Sequence, residues 1–507
     1  MNIKNIKTYI LSGILALSMS SCLDKYPEDS IRMDEAINTV DDMDKLVYGI
    51  YDSFKSSALY SGNLTILPDL QADFVYCVKG YSNAYGDIYR WKDIKATNTD
   101  IESVYGELYG VINNANFLLD NVDKVKANTN SDKELDKLEQ CEGEAYFARA
   151  LAYSELIKCF CKAYDSDEQA EKELGVVLTE HYYGNEPQKR ATLKESYDFV
   201  LRDLDKATEY LKVDEDFTGT LYDEIYFNEY ACHALRARVS LYMHRWDDAI
   251  KYASKVINSK YYVLASCTQK IGNTSYYQYQ WTAGKSTEGI WKVGFTVNSY
   301  GGALGTIFDN YNYVTYRPDY VPETWVINSF DANDLRAAAI FTTRTTGYEH
   351  GLQWPLLSKY FGDAEFLNNN ILHVHQPMVF RLSEQYLIRA EAYAMNGEYG
   401  KAGKDISTLR TARYSSYGGN TSMSDESSAM KIIEAERVKE LYMEGFRLND
   451  LKRWHKGFER KAADQPAANF VQSSLKVEKD DPLFVWPIPQ HELEAPGSEI
   501  QPNESNK

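Results

Sequence analysis

The sequence predicts a mostly α-helical protein, built as an array of paired helices with one loop-rich insertion. Two observations predict this fold class. Small, apolar and aromatic residues recur at helical spacing in two hairpin-like stretches, at residues 231–257 and 381–413. Between them, residues 261–378 lose the helical period and are rich in glycine, asparagine, threonine and aromatic residues. We therefore expect helical-repeat parts at 41–260 and 379–507, separated by the insertion.

The composition limits the classes of function. With 507 residues, 44% of them hydrophobic and 13% aromatic, the chain can bury a large core. Its formal net charge of −19 argues against a nucleic-acid partner, because phosphates require a basic face. The 41 tyrosines suit two roles, since a flat ring with a hydroxyl packs between helices and also binds ligands at half-exposed surfaces.

The N-terminus has the features of a lipoprotein signal peptide over residues 1–21. Lys4 and Lys7 give a basic start, and the apolar run at 9–17 is too short to span a bilayer. The small residue Ser21 precedes Cys22, which we expect to become the acylated first residue of the mature protein. Several acyl chains on one cysteine anchor a protein stably. Residues 22–40 are predicted to be a tether, and the lipid is the expected membrane contact.

The next part of the chain predicts helices at 41–56, 101–122, 132–164 and 192–211. Residues 66–93 differ, because aromatic residues there crowd a segment without helical period. Aromatic side chains on irregular backbone are often exposed, and polar side chains beside them can bind hydroxyl groups. A packed loop is the alternative. The ligand-binding candidates in this aromatic loop are Asp73, Tyr81, Asn83, Tyr85 and Trp91.

Two hairpins repeat one pattern at a constant offset of 153 residues. In each, a small residue is followed nine positions later by an aromatic residue, and three positions after that by another small one. This spacing is typical of the tetratricopeptide repeat, in which the aromatic ring wedges between helices and the small residues let two helices approach closely. The matched pairs are Ala237 and Ala390, Trp246 and Tyr399, Ala249 and Ala402, Ala253 and Ile406, and Val256 and Leu409.

A charged run from Glu436 to Trp454 follows the second hairpin and reads ER-x-x-EL-x-x-EG-x-R-x-x-DL-x-RW. Glu440 and Glu444 are one helical turn apart, with arginines at 437 and 447 within reach for ion pairs. Gly445 is expected to end one helix with positive φ before the next begins. We expect these charges to fix the fold and not to bind a ligand.

This run resembles the signature of the SusD/RagB family of outer-membrane nutrient-binding lipoproteins from Bacteroidota. The lipoprotein start, the helix around 143–145, both hairpins and the sequence Trp-Pro-Ile-Pro at 486–489 are also similar to the family. Asp334-Leu335-Arg336 resembles a structural D-x-R of these proteins. The resemblance implies a SusD-like fold, with an extended tail after the signature that packs on the body.

The resemblance also implies a function and a partner. The expected protein faces the cell exterior, binds oligosaccharide or polysaccharide, and hands it as a lid to a SusC-like TonB-dependent transporter. In the family the loop-rich region carries the ligand platform, and a ring stacked on a sugar should contribute about 1 kcal/mol. Candidates from the insertion are Tyr276, Tyr277, Tyr279, Trp281, Tyr311, Tyr313, Tyr316 and Trp325.

Catalytic and metal-binding motifs are not evident in the sequence, so we expect no enzyme activity, cofactor or metal site. His373 and His375 alternate as on a strand but lack a third ligand nearby, and the cysteines show no paired C-x-x-C spacing. Three alternatives stay open: a RagB-like lipoprotein that takes up peptides, a tetratricopeptide scaffold that holds protein partners, and a glycoside hydrolase.

Overall fold

The structure is a computed structural model that describes residues 36–184, 188–213, 224–461 and 474–507. The predicted signal peptide at 1–21, the lipidation residue Cys22 and most of the predicted tether lie outside the described residues.

Helices form most of the described chain. They are α1 (Val40–Ser53), α2 (Asn63–Gln71), α3 (Gly86–Tyr89), α4 (Thr99–Asn128), α5 (Asp132–Phe160), α6 (Asp167–Ala170), α7 (Leu193–Tyr210), α8 (Glu229–Tyr242), α9 (Trp246–Asn258), α10 (Tyr276–Thr282), α11 (Thr306–Asp309), α12 (Thr324–Asn328), α13 (Arg336–Ile340), α14 (Ala364–Asn368), α15 (Leu382–Met395), α16 (Tyr399–Arg413), α17 (Glu426–Glu440), α18 (Arg447–Arg453) and α19 (Gln490–Glu494). The helices predicted at 41–56, 101–122, 132–164 and 192–211 are confirmed as α1, α4, α5 and α7.

The strands of the described residues are short and pair antiparallel in twos. The pairs are β1 (Val75–Cys77) with β7 (Tyr320–Pro322), β2 (Leu174–Val177) with β3 (Arg190–Thr192), β4 (Lys270–Ile271) with β5 (Thr274–Ser275), β6 (Gly289–Lys292) with β10 (Met378–Arg381), β8 (Phe341–Thr345) with β9 (Gln353–Leu357), and β11 (Phe458–Arg460) with β12 (Leu475–Val477).

The two predicted hairpins are α8–α9 and α15–α16, and they are neighbours in space. Trp246 and Tyr399 are each the first residue of the second helix, as the repeat spacing requires. The small and apolar residues that follow them in the pattern are fully buried. Helix α9 packs directly on α15, where the Arg389 Nη1 donates to the Ser254 Oγ at 3.0 Å. The helical array therefore continues across the insertion, which confirms the predicted fold class.

The insertion leaves the array after α9 and returns through β10, which pairs with β6 at its base. The insertion shares its apolar core with other parts of the chain. Ile66, Leu70 and Phe74 from the aromatic loop, and Tyr442 and Met443 after α17, belong to the same buried cluster as the apolar residues of the insertion. The insertion is therefore built onto the array and onto the aromatic loop, and does not form a separate core.

Residues 66–71, predicted to be irregular, are helical. Every residue of α2 is buried, so the helix shows no apolar stripe against a polar face. Pro68 inside α2 further obscures the pattern, because proline normally marks a break. The absence of a helical period here reflects burial on all sides.

A network of buried charges joins the array to the insertion. The Glu440 carboxylate of α17 accepts hydrogen bonds of 2.8–3.0 Å from Arg336, Arg381 and Arg413, and all four side chains are buried. Arg381 and Arg413 also donate to the Glu288 carboxylate, at 2.6 and 2.8 Å. Glu288 directly precedes β6, Arg381 ends β10, Arg413 ends α16 and Arg336 begins α13, so one cluster fixes four connections.

The neighbouring acidic residues Glu436 and Asp334 are stabilised in their charged form by cations of the same network. Burial alone would raise the pKa of Glu436, but Arg336, Lys439 and Arg410 together hold it at about 2. The Asp334 carboxylate accepts from the Arg336 Nε and Nη2 at 2.9 and 2.7 Å, which confirms a structural D-x-R.

The pairing inside the charged run differs from the expectation. Arg437 pairs with Asp450 at 2.8 Å, and Arg447 pairs with Asp73 at 2.8 Å; neither pairs with Glu440 or Glu444. The helix α17 ends at Glu440, so the chain turns before Glu444 and redirects its side chain. Gly445 has φ +82° between α17 and α18, as predicted.

The tail packs on the body as expected. Trp486 and Ile488 are buried, and the Trp486 Nε1 donates to the Gln71 Oε1 of α2 at 2.9 Å. The six cysteines of the described residues are buried.

We expect Glu440→Ala to lower the free energy of unfolding by about 3–5 kcal/mol, because it leaves three buried guanidinium groups without their shared carboxylate. The measurement is chemical denaturation followed by circular dichroism. Glu168→Ala is the control, since that carboxylate is 82% exposed in its pair with Lys172, and a change within about 0.5 kcal/mol is expected. Equal effects of both substitutions would contradict the role of the buried network.

Candidate ligand-binding surface

The aromatic loop is held by one arginine. The Arg90 guanidinium donates to the Tyr81 hydroxyl at 2.7 Å, to the Asn83 Oδ1 at 2.5 Å and to the Asp87 Oδ1 at 2.7 Å. Gly86 makes this possible, because a Cβ there would lie 2.2 Å from the Asn83 Oδ1 and 2.6 Å from the Arg90 Nη1. The loop therefore presents a hydroxyl and an amide whose positions are set in advance.

The same loop holds several residues in the left-handed backbone region. The φ angles are +69° at Asn83, +53° at Tyr85, +54° at Trp91 and +58° at Asp93. Asparagine and aspartate tolerate this conformation, but an aromatic residue adopts it at a cost. Such strain persists only where the surrounding contacts fix the backbone, and it is common where side chains are placed for binding.

Pairing of β1 with β7 brings the aromatic loop beside the insertion. The Ser82 backbone N–H and hydroxyl both donate to the Asp319 carboxylate, at 2.7 and 2.6 Å. The Tyr81 ring lies 5.8 Å from the Tyr320 ring, edge to face. Tyr81 and Tyr316 also pack on one buried cluster around Trp354. Two segments more than 200 residues apart in the sequence thus form one face.

Three further rings of the insertion lie on this face. Tyr311 and Tyr316 stack with centroids 4.5 Å apart and planes at 23°, and Tyr313 lies 5.9 Å from Tyr311 with 57% of its surface exposed. The Tyr313 hydroxyl donates to the Asn370 carbonyl at 3.1 Å, which holds the exposed ring in place. We call the set Tyr81, Asn83, Tyr311, Tyr313 and Tyr316 the tyrosine surface.

Two hollows among the described residues lie away from the tyrosine surface. One of about 420 Å³ is bordered by α1 and β6, and another of about 320 Å³ is bordered by the ends of α5 and α18 and by the tail. None of the residues of the tyrosine surface borders either hollow. Asn83 and Tyr313 are exposed and the other three residues are half-buried, so the tyrosine surface is open to solvent and suits a long ligand that lies across it.

Several predicted site residues are buried, and the expectation of exposure is wrong for them. Trp91 is only 9% exposed, and its Nε1 donates to the Gln71 carbonyl under the tail. Tyr277 and Trp281 lie beneath the charge network, with the Arg413 guanidinium 4.5 Å and the Lys359 Nζ 3.9 Å from the respective ring centres. These rings stabilise buried cations and are not accessible from the surface.

Asp73 is also buried, and its carboxylate accepts both Nε and Nη2 of Arg447, at 2.8 and 2.9 Å. Trp325 lies over the same pair, is 38% exposed, and donates from its Nε1 to the Asp73 carbonyl at 2.9 Å. Tyr85 is half-buried at the start of α3. Trp325 and Tyr85 thus present part of a ring outside the tyrosine surface, and Asp73 is committed to the fold.

Sequence reasoning missed Arg317, Arg344 and Tyr348. The Arg344 guanidinium lies 5.2 Å from the Tyr316 ring centre, and that of Arg317 lies 5.7 Å from the ring centre of Tyr348. Arg317 directly follows Tyr316, which was a usable signal. The other two lie on β8 and in the turn after it, and the Tyr316–Thr346 bridge brings them close.

Asp309 lies behind the tyrosine surface at the end of α11. Its side chain is 1% exposed, and its Oδ2 has no hydrogen-bond partner among the described residues. Burial raises the pKa of Asp309 to about 8, and the positive charge of Arg344 offsets only part of that effect. The carboxyl is therefore mostly protonated at neutral pH.

This raised pKa predicts a pH dependence of stability. Between the ordinary pKa of 3.8 and about 8, the folded state keeps a proton on Asp309 that the unfolded state has lost. The free energy of unfolding of the wild type, relative to Asp309→Asn, should therefore fall as pH rises through this range and stay constant above it. Denaturation of both proteins at several pH values measures the difference, and a constant difference would contradict a buried neutral carboxyl.

The chain matches two family models. A model of the SusD family matches residues 341–503, and a model described as "Starch-binding associating with outer membrane" matches residues 22–241. Tyr311, Tyr313 and Tyr316 lie between the two matched ranges. No curated protein matches the chain.

Solved structures share the fold. A SusD superfamily protein from Bacteroides thetaiotaomicron is 24% identical with a TM-score of 0.77, covering 92% of this chain and 99% of that one. A putative sugar binding protein from Bacteroides vulgatus is 23% identical with a TM-score of 0.74, covering 93% and 100%. Surface glycan-binding protein A from Bacteroides fluxus is 18% identical with a TM-score of 0.65, covering 92% and 100%. From the two family-model matches, on a chain with this fold, we conclude that the protein belongs to the SusD family.

Proposed function

We propose that this protein is an outer-membrane surface lipoprotein that binds an extracellular oligosaccharide or polysaccharide on the tyrosine surface. The observation that supports the proposal most directly is the grouping of exposed Tyr313 with the stacked Tyr311 and Tyr316 rings beside the Arg90-held Tyr81 and Asn83. Binding is noncovalent and involves no catalytic step.

The two halves of the surface supply different interactions. The apolar face of a sugar ring stacks on the phenol rings of Tyr311 and Tyr313, and each ring contributes about 1 kcal/mol beyond burial. Sugar hydroxyl groups exchange hydrogen bonds with the Asn83 amide and the Tyr81 hydroxyl, which fix the orientation of the ligand. Because the platform is open, a chain longer than the platform can cross it.

Anchoring and delivery extend the proposal. Cys22 carries the lipid, and none of the described helices is long and apolar enough to cross a membrane. The protein acts as the lid of a SusC-like TonB-dependent transporter, and closure of the lid brings the bound glycan to the pore. The continuous helical array and the buried charge network support this role, since a lid must move as one body.

Substitution of Tyr311 and Tyr313 together tests the platform. We expect Tyr311→Ala with Tyr313→Ala to weaken glycan binding at least about fivefold, the loss of roughly 1 kcal/mol or more of stacking. Binding is measured by affinity gel electrophoresis against a panel of polysaccharides and then by calorimetry with the one that is retained. Tyr48→Ala is the matched control, because Tyr48 is 54% exposed on α1 and lies outside the tyrosine surface.

The outcomes separate the alternatives. Loss of binding in the double variant but not in Tyr48→Ala supports the proposal. Binding of peptides in place of any glycan would favour peptide uptake, and release of reducing ends would favour a hydrolase. If no glycan is retained while a SusC-like transporter still co-purifies with the lipoprotein, the glycan proposal is wrong and only the partnership stands.

A further inference from the structure

Two arginines beside the tyrosine surface differ from every other arginine of the described residues. Arg317 and Arg344 have neither an ion pair nor a side-chain hydrogen bond within the described parts of the chain. Each of the others is paired with a carboxylate or donates to a carbonyl oxygen. In a chain of net charge −19, carboxylate partners are plentiful, so two unpaired guanidinium groups on one face call for a functional reason.

The two groups lie beside the candidate platform and are accessible. Arg317 is exposed and Arg344 is half-exposed. Arg344 lies over Tyr316 and also 5.7 Å from the Phe361 ring centre, while Arg317 lies over Tyr348 in the β8–β9 turn. A guanidinium on an aromatic face keeps the N–H groups at its edge free, so each arginine is oriented and still able to donate.

From these observations we propose that the tyrosine surface selects an anionic glycan, with uronate carboxylates or sulfate esters, and that Arg317 and Arg344 bind its charged groups. This inference rests on the proposed function and names the class of ligand. A guanidinium offers two parallel N–H donors that match the two oxygens of a carboxylate or sulfate, and such charge-assisted pairs are about twice as strong as neutral hydrogen bonds.

The acidic residues that the structure describes nearby do not form ion pairs with the guanidinium groups of Arg317 and Arg344. The Asp87 carboxylate is taken by Arg90, and that of Asp319 accepts from Ser82. Asp309 is buried and carries its proton at neutral pH, so it does not neutralise Arg344 fully. Glu349 is exposed in the β8–β9 turn, and the chain as a whole carries a net charge of −19. Selectivity therefore comes from two local contacts and not from a broad positive field.

Matched polymers test the inference. The probes are polygalacturonate against its carboxyl-reduced neutral form, and dextran sulfate against dextran, with retention measured by affinity gel electrophoresis of the full mature chain. We expect an acidic polymer to be retained at least roughly tenfold more strongly than its neutral match, and this preference to decrease with added salt. The uronate and sulfate arms show which anion is preferred.

Variants assign the effect to the two side chains. Arg317→Gln and Arg344→Gln should each reduce the acidic preference severalfold while leaving retention of a neutral polymer unchanged. Arg202→Gln is the control, because Arg202 is exposed, lies 4.2 Å from the Phe199 ring centre and carries the same charge on α7. An equal loss in all three variants would indicate a general charge effect and overturn the inference.

Other outcomes keep the two proposals distinct. If neutral polymers are retained as strongly as their acidic matches, the inference fails and the glycan-binding function stands. If an acidic polymer is preferred but both arginine variants retain that preference, Arg317 and Arg344 are not its cause and the inference is overturned. If no polymer of either kind is retained, and a broad glycan panel gives the same result, the proposed function fails with it.

Discussion

The Glu440 carboxylate is the contact on which the arrangement of the two halves depends. It lies fully buried among Arg336, Arg381 and Arg413, which come from the insertion, from the strand that closes it and from the last helix of the repeat. Buried ion pairs add little stability over an apolar core, because desolvation offsets most of the attraction. Buried ion pairs require precise geometry, however, because a displaced side chain leaves a buried charge unpaired. The network therefore specifies how the insertion sits on the array.

Rigidity at this junction reaches the ligand face through shared packing. The Lys359 ammonium bonds to Glu444 in the network and lies over the Trp281 ring, and Tyr360 beside it packs in the core of the insertion. Core packing and the β1–β7 pair transmit the position of that core to the aromatic loop, where Arg90 fixes Tyr81 and Asn83. A surface whose groups are placed before binding loses less entropy when a ligand arrives. Buried aromatic residues of the insertion thus help to fix the positions of the exposed ones.

Local sequence patterns predicted what local forces determine. The helical period located α1, α4, α5 and α7, and the repeat spacing located both hairpins. Gly445 marked a turn, because glycine adopts a positive φ without help from distant residues. Contacts between distant residues were not predictable. Arg336 and Glu440 are 104 positions apart, and the sequence around either residue does not indicate which residue it pairs with. For the same reason an aromatic residue of the insertion gave no sign of its direction. Trp281, on the short helix α10, and Tyr313 were equal candidates for exposure, yet Trp281 lies against buried cations and Tyr313 is exposed.

The ends of the insertion meet at neighbouring strands, β6 and β10, while α9 continues directly onto α15. The two ends of the insertion are thus close together, and the helices on either side of it pack on each other directly. An insertion of different length has to keep Glu288, Arg336 and Lys359 for the charge network, and apolar residues for the core that it shares with α2. Exposed side chains at the outer edge of the insertion, such as Tyr313, belong to neither the network nor this core, so they can change while the junction stays the same.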